Sequence, residues 1–144
     1  MALSSDDIVG LEFDWLAVDR TGSIALLCSA GWNSVPAEAL LVASPSEPLI
    51  SRSPVLAALP EVCGLRTEGP GPGWCREWPA LGRRGFYVYD SDQATGSYRR
   101  IIVPLAPVLA SSLPSGLLRS FAPVVLGRTR FADVSALRLG AGYE

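Results

Sequence analysis

The side chains that most often do chemistry are scarce in this sequence. It has no His and no Lys, and all twelve basic residues are Arg. Without imidazole, the group that changes charge near neutral pH is missing, and so is the usual base beside a Ser or Cys nucleophile. Without Lys, Schiff-base chemistry and the lysine of a phosphate loop are missing too. Cys28, Cys63 and Cys75 are scattered, with no C-x-x-C spacing, so nothing reads as a zinc site. Carboxylates remain. Glu12 and Asp14 stand two apart in a strand-like run and project to the same side. Such a pair can act as acid and base or hold a hard cation. It can equally be a charged sheet edge or solvent face that discourages aggregation. In Asp90-Ser-Asp92-Gln-Ala-Thr-Gly96 the acids alternate as in a calcium loop. Ala94 takes a ligand position and the Gly falls at the wrong offset, so these residues read as a hairpin turn. No cofactor or metal is expected.

The aromatic residues suit recognition better than catalysis. Tyr87 and Tyr89 share one face of a strand, and Phe86 and Val88 share the other. If Phe86 and Val88 face the core, the tyrosines look outward. Trp32 lies in a Gly-containing loop, and Trp74 lies beside Gly69-Pro-Gly-Pro-Gly73; both are expected to be exposed. Exposed Trp and Tyr dominate interface hot spots. The candidate contact set is therefore Glu12, Asp14, Trp32, Trp74, Tyr87, Tyr89, Asp90 and Asp92.

The elements that must position these residues follow from periodicity and punctuation. Val9 to Asp19 alternates as a strand, with Leu11, Phe13, Trp15 and Ala17 on one face. Asp19-Arg-Thr-Gly22 is a tight turn, with Gly22 free to take positive φ. Ile24 to Ser29 is the partner strand. Ser34 and Ser53 each precede a Pro and a short apolar run, the pattern of a capped helix. A helix is expected from Trp74 to Leu81, closed by Gly82. Gly85 to Asp90 and Tyr98 to Val103 form a second hairpin. Leu113 to Phe121 reads as a helix, and Arg130 to Asp133 as a last edge strand, with Val134 to Leu139 undecided. The order predicts an α+β fold: an antiparallel sheet built from two hairpins, with short helices packed on one face.

Bulk properties set the remaining bounds. A chain of 144 residues, 49% hydrophobic and 18% charged, suits one domain spanning residues 1–144 with a full core. A net charge of −2 and a pI of about 5.1 argue against a nucleic-acid partner, which needs a basic face. The acidic, polar start is unlike a secretory signal. No apolar run approaches the roughly 20 residues of a membrane-spanning helix. A cytoplasmic protein with free thiols is expected; Cys63 and Cys75 would pair only in an oxidising compartment.

The stretch Phe13-Asp-Trp-Leu-Ala-Val-Asp-Arg-Thr-Gly-Ser-Ile-Ala25, followed by Ala30-Gly31 and Val35-Pro36, resembles the opening of a family of small bacterial proteins of uncharacterised function. Arg84-Gly-Phe-Tyr-Val-Tyr-Asp90, Tyr98, Pro104, Leu113-Pro114 and Arg130-Phe131 extend the likeness over most of the chain. It brings no catalytic or binding residues to carry over. The opening also resembles, more loosely, immunity proteins encoded beside bacterial polymorphic or secretion-system toxins. That likeness implies a protein that binds a cognate toxin and covers its active site. Acidic patches would suit a basic toxin cleft. A small-ligand or regulatory domain with an aromatic-lined pocket is the alternative. A carboxylate enzyme built on Glu12 and Asp14 is the third reading.

Overall fold

The structure, a computed structural model, describes residues 13–29, 35–40, 53–68 and 77–139. Strand β1 (Phe13–Asp19) pairs antiparallel with β2 (Ile24–Ser29), from Phe13 opposite Ser29 to Val18 opposite Ile24. The turn between them is held by its first residue. Asp19 Oδ1 accepts hydrogen bonds from Thr21 N, Thr21 Oγ1 and Ser23 N at 2.9, 2.7 and 3.0 Å. Gly22 takes φ +87°, which an L side chain would resist. The second hairpin joins β4 (Tyr87–Asp92) to β5 (Ser97–Pro104), with Gly96 at φ +71° in its turn.

The two hairpins join through a parallel pairing of β2 with β4, Ala25 opposite Tyr87 and Cys28 opposite Asp90. Short strand β3 (Leu65–Thr67) lies on the outer side of β5, antiparallel to residues 102–104. Strand β6 (Val124–Leu126) adds to β1 in parallel. Strand β7 (Ala136–Leu137) pairs with Tyr98 and Arg99, so β5 carries β3 at one end of its outer edge and β7 at the other. The order is β3-β5-β4-β2-β1-β6, with β7 beside β5. The result is an α+β fold on a mostly antiparallel sheet. Two parallel pairings are absent from a reading made of hairpins alone: β2 with β4 stitches the hairpins together, and β1 with β6 adds an edge strand.

The sheet is buried on both faces. On one lie Leu16, Leu26, Val88 and Ile102, covered by Leu56 of α2 (Pro54–Ala57), by Trp78 and Leu81 of α3 (Glu77–Arg83), and by Leu117 and Phe121 of α4 (Ser115–Phe121). Ser53 caps α2, its hydroxyl accepting from Leu56 N at 3.0 Å. On the other face lie Trp15, Ala17, Leu27, Tyr87, Tyr89 and Tyr98. They are covered by Ala39 of α1 (Ala37–Leu40) and, from the C-terminal segment, by Phe131 and Leu137. The described helices therefore do not all share one face: α2, α3 and α4 pack on one side and α1 on the other.

Several boundaries differ from expectation. Helix α3 does not close at Gly82 but runs through it to Arg83; the left-handed residue is Gly85, at φ +92°. Gly82 sits inside the helix because a Cβ there would come within 2.5 Å of Ile102 Cγ2. Arg130 to Asp133 is a turn, not an edge strand; the C-terminal edge strand is β7, six residues on. Strands β3 and β6, three residues each, carry no periodicity long enough to read from sequence.

Candidate functional site

Three of the candidate acids meet at one end of one sheet face. Register places Asp14 of β1 opposite Cys28 of β2, and Cys28 opposite Asp90 of β4, a row of three across adjacent strands. Asp92 follows two residues along β4, on the same face by alternation. This end lies away from the Asp19 turn and at the margin of the α3 side of the sheet. Asp14 and Asp90 are half-buried. Cys28 is half-buried among the residues of the helix-covered face. Its sulfur hydrogen-bonds to the Asp14 carboxylate and to Trp78 of α3. An indole N–H only donates, so the sulfur accepts from Trp78 while its S–H donates a hydrogen bond to Asp14.

The electrostatics follow from that layout. Burial pushes the Cys28 thiol well above its ordinary range, and the charges of Asp14 and Asp90 push it further. The sulfur therefore stays protonated and is a poor nucleophile. Asp92 behaves oppositely: hydrogen bonds from the Thr95 hydroxyl, Ala94 N and Arg99 hold its carboxyl below the usual range. Arg99 Nη2 lies 2.9 Å from Asp92 Oδ2. The Asp90–Gly96 segment is thus a turn in which Asp92 accepts from Ala94 N at 3.1 Å. Among the described residues, no group of three Cys, Asp or Glu is placed to hold a metal ion. What this end offers is a compact set of anionic side chains on a rigid sheet.

The other candidates fare differently. Tyr87 and Tyr89, expected to look outward, are buried at 3% and 0% exposure. The reason is the C-terminal segment, whose Phe131 ring packs 5.6 Å from each tyrosine ring. Tyr89 Oη also donates to the Val134 carbonyl at 2.5 Å. Both tyrosines are core residues, and a partner cannot touch them in this fold. Glu12, Trp32 and Trp74 lie outside the described residues, as does Cys75. Cys63 is a free thiol donating to Gly82 O at 3.4 Å. Trp15 and Tyr98, both buried, meet edge to face, with Trp15 Nε1 3.3 Å from Tyr98 Oη. The described aromatics named for a ligand pocket therefore fill the core.

Two polar centres were not legible in advance. Arg100, 7% exposed, receives the Glu68 carboxylate bidentately, Nη2 to Oε1 at 2.6 Å and Nε to Oε2 at 3.1 Å. Its Nη1 donates to the carbonyls of Phe131 and Ala132. The hydrogen bond from Arg100 lowers the Glu68 carboxyl below its ordinary value. Burial works to lower Arg100, and the Glu68 carboxylate outweighs it. Asp19, 4% exposed, uses its second oxygen to accept from Phe131 N at 2.8 Å. Both centres fasten the C-terminal segment and so keep Tyr87 and Tyr89 covered. The Asp19 turn was visible in the sequence; a bond spanning 112 residues was not.

No family model, curated protein or solved structure matches the chain. No helix among the described residues is long and apolar enough to cross a membrane.

Proposed function

We propose that this chain is a cytoplasmic protein-binding module, an immunity-type protein that neutralises a cognate bacterial toxin by covering its active site. The observation that carries the reading is the gathering of Asp14, Asp90 and Asp92 at one end of one sheet face. These carboxylates come from two distant stretches of chain and ride on paired strands: β4 is paired on both sides, and β1 is paired with β2 at Asp14. Rigid, clustered acids suit a basic cleft, because they steer encounter and are already held in the bound geometry. The protonated state of Cys28 supports a binding role for this end over thiol chemistry. The absence of His and Lys from the whole sequence points the same way.

The test pairs this protein with the product of the adjacent reading frame. Co-expression should restore growth arrested by that product, and the two should co-purify in fixed stoichiometry. A triple Asp14→Asn, Asp90→Asn, Asp92→Asn variant keeps side-chain shape and removes charge. It should associate at least about tenfold more slowly at low salt, with a weaker salt dependence. Undiminished association by the folded variant would refute the acidic end as the contact surface. Failure of the wild type to bind or protect would refute the immunity role.

A further inference from the structure

Strand β3 closes one side of the sheet, and nothing among the described residues pairs with its outer edge. Leu105 N donates to Gly64 O and Glu68 N to Ile101 O, both at 2.9 Å. These bonds aim the Gly64 carbonyl and the Glu68 amide at β5, and antiparallel alternation aims the peptide groups of Arg66 the same way. The N–H and C=O groups of Leu65 and Thr67 therefore point away from the sheet. Earlier in the chain the backbone is already engaged, because the Val62 and Cys63 amides both donate to the Arg83 carbonyl, at 2.7 and 3.1 Å. The open template is thus Leu65-Arg-Thr67, with Thr67 exposed and Glu68 following. At the other margin of the sheet, β6 is a poorer template. Pro123 before it has no N–H, and Leu126 O already accepts from Thr129 N at 3.2 Å.

We propose that β3 pairs antiparallel with β3 of a second copy of this chain, around a two-fold axis at Thr67. In that register the Thr67 peptide groups of the two copies bond each other, N–H to C=O in both directions. Arg66 of each copy then lies opposite Glu68 of the other. Charge selects both the occupant and the register. A strand laid antiparallel against Arg66-Thr-Glu68 must offer an acid opposite Arg66 and a base opposite Glu68, and the chain's own Arg-Thr-Glu does so. Moving the axis to Arg66 would set two guanidinium groups opposite each other, which opposes pairing. An edge strand with one sign of charge resists its own copy, whereas this one carries both signs. Arg66 Nη2 already lies 2.9 Å from Glu68 Oε1 of its own chain, but the Arg66 side chain is 60% exposed. Such a surface pair contributes little and exchanges for its counterpart across the axis. Glu68 stays fixed meanwhile by the two bonds from Arg100. The contact is small, so the dimer is weak and depends on concentration. Strand β5 separates β3 from the strand that carries Asp90 and Asp92, and the inference does not rest on the toxin-binding reading.

Sedimentation velocity on the full chain, from about 10 μM to about 1 mM, tests the assignment. The wild type should pass from monomer to dimer across this range, and the Thr67 amide should exchange more slowly at the high concentration than at the low one. Thr67→Pro removes the outward N–H and no bond to β5, so it should raise the dissociation constant at least about tenfold with the fold intact. Arg66→Glu sets an acid opposite each Glu68 and should act in the same direction. Val125→Asp puts a charge on the β6 edge, where Val125 is 67% exposed, and should leave the dimer unchanged. Thermal melts identify a variant that fails to fold, and the other β3 variant then carries the test. Three results would each overturn the proposal: a wild type still monomeric at the highest concentration, dimerisation untouched by Thr67→Pro and Arg66→Glu, or dimerisation abolished by Val125→Asp. None of these readouts involves Asp14, Asp90 or Asp92, so failure here is distinct from failure of the proposed function.

Discussion

Replacing Asp19 by Asn should cost about 3 kcal/mol of folding stability, although the side chain keeps its shape. Asp19 uses Oδ1 for three donors and Oδ2 for one, Phe131 N. An Asn that keeps the three bonds at Oδ1 must turn its NH2 toward the Phe131 N–H, setting donor against donor. A hydrogen bond to a charged group contributes about 1.5–3 kcal/mol, and leaving a buried amide unpaired costs a similar amount. The three surviving bonds lose their charge assistance, which makes each roughly half as strong. The flipped Asn does worse, giving up three hydrogen bonds to keep one. Guanidinium unfolding should therefore show a lowered midpoint with an unchanged slope. Hydrogen exchange should locate the loss: the Phe131 amide should exchange much faster than in the wild type, ahead of the β4–β5 amides, because the C-terminal segment loosens first. Stability within about 0.5 kcal/mol of the wild type, with Phe131 still protected, would show that Asp19 only shapes its turn.

Two glycines separate steric cost from conformational cost. Gly96→Ala meets nothing within 4 Å and pays only for φ +71°, about 1 kcal/mol, whereas Gly85→Ala adds a Cβ 2.0 Å from Val108 Cγ1 to a φ of +92° and should cost at least about 3 kcal/mol. Equal shifts in denaturation midpoint would mean that the Val108 contact relaxes freely. Alkaline stability should report the buried phenols. Burial pushes Tyr98 up to about 12 from an ordinary 10, and the hydrogen bonds from Trp15 and Ser29 only partly offset this. The folded state thus holds a proton that the unfolded chain gives up. The stabilisation is whole below pH 10 and is lost as pH rises through 12, amounting to about 3 kcal/mol for Tyr98 alone. Tyr89 shifts in the same direction for the same reason and adds to the loss. Urea titrations across this range, with tyrosinate absorbance as a second probe, should show unfolding and phenol ionisation together; ionisation in a still-folded protein would contradict the burial.

Much of the fold was local and therefore legible. The alternation in β1, the Asp-x-x-Gly turn, the Ser53–Pro54 cap and the second hairpin each involve residues within a few positions of one another. Their physics is complete in a short window: backbone sterics, one cap, a period of two. The same alternation correctly separated Tyr87 and Tyr89 from Phe86 and Val88 as opposite faces. Whether a face is wet or dry depends on what covers it, and here the cover is Phe131, more than forty residues away. The sequence also excluded chemistry that needs imidazole or amine, because composition requires no geometry. Tertiary structure alone decided that β2 and β4 pair in parallel, and that pairing is what sets Asp14, Cys28 and Asp90 in one row. It alone decided that Arg20 N meets the Thr129 carbonyl. Strand order and long-range clamps arise from burying two apolar faces at once, a condition on the whole chain that no short stretch contains.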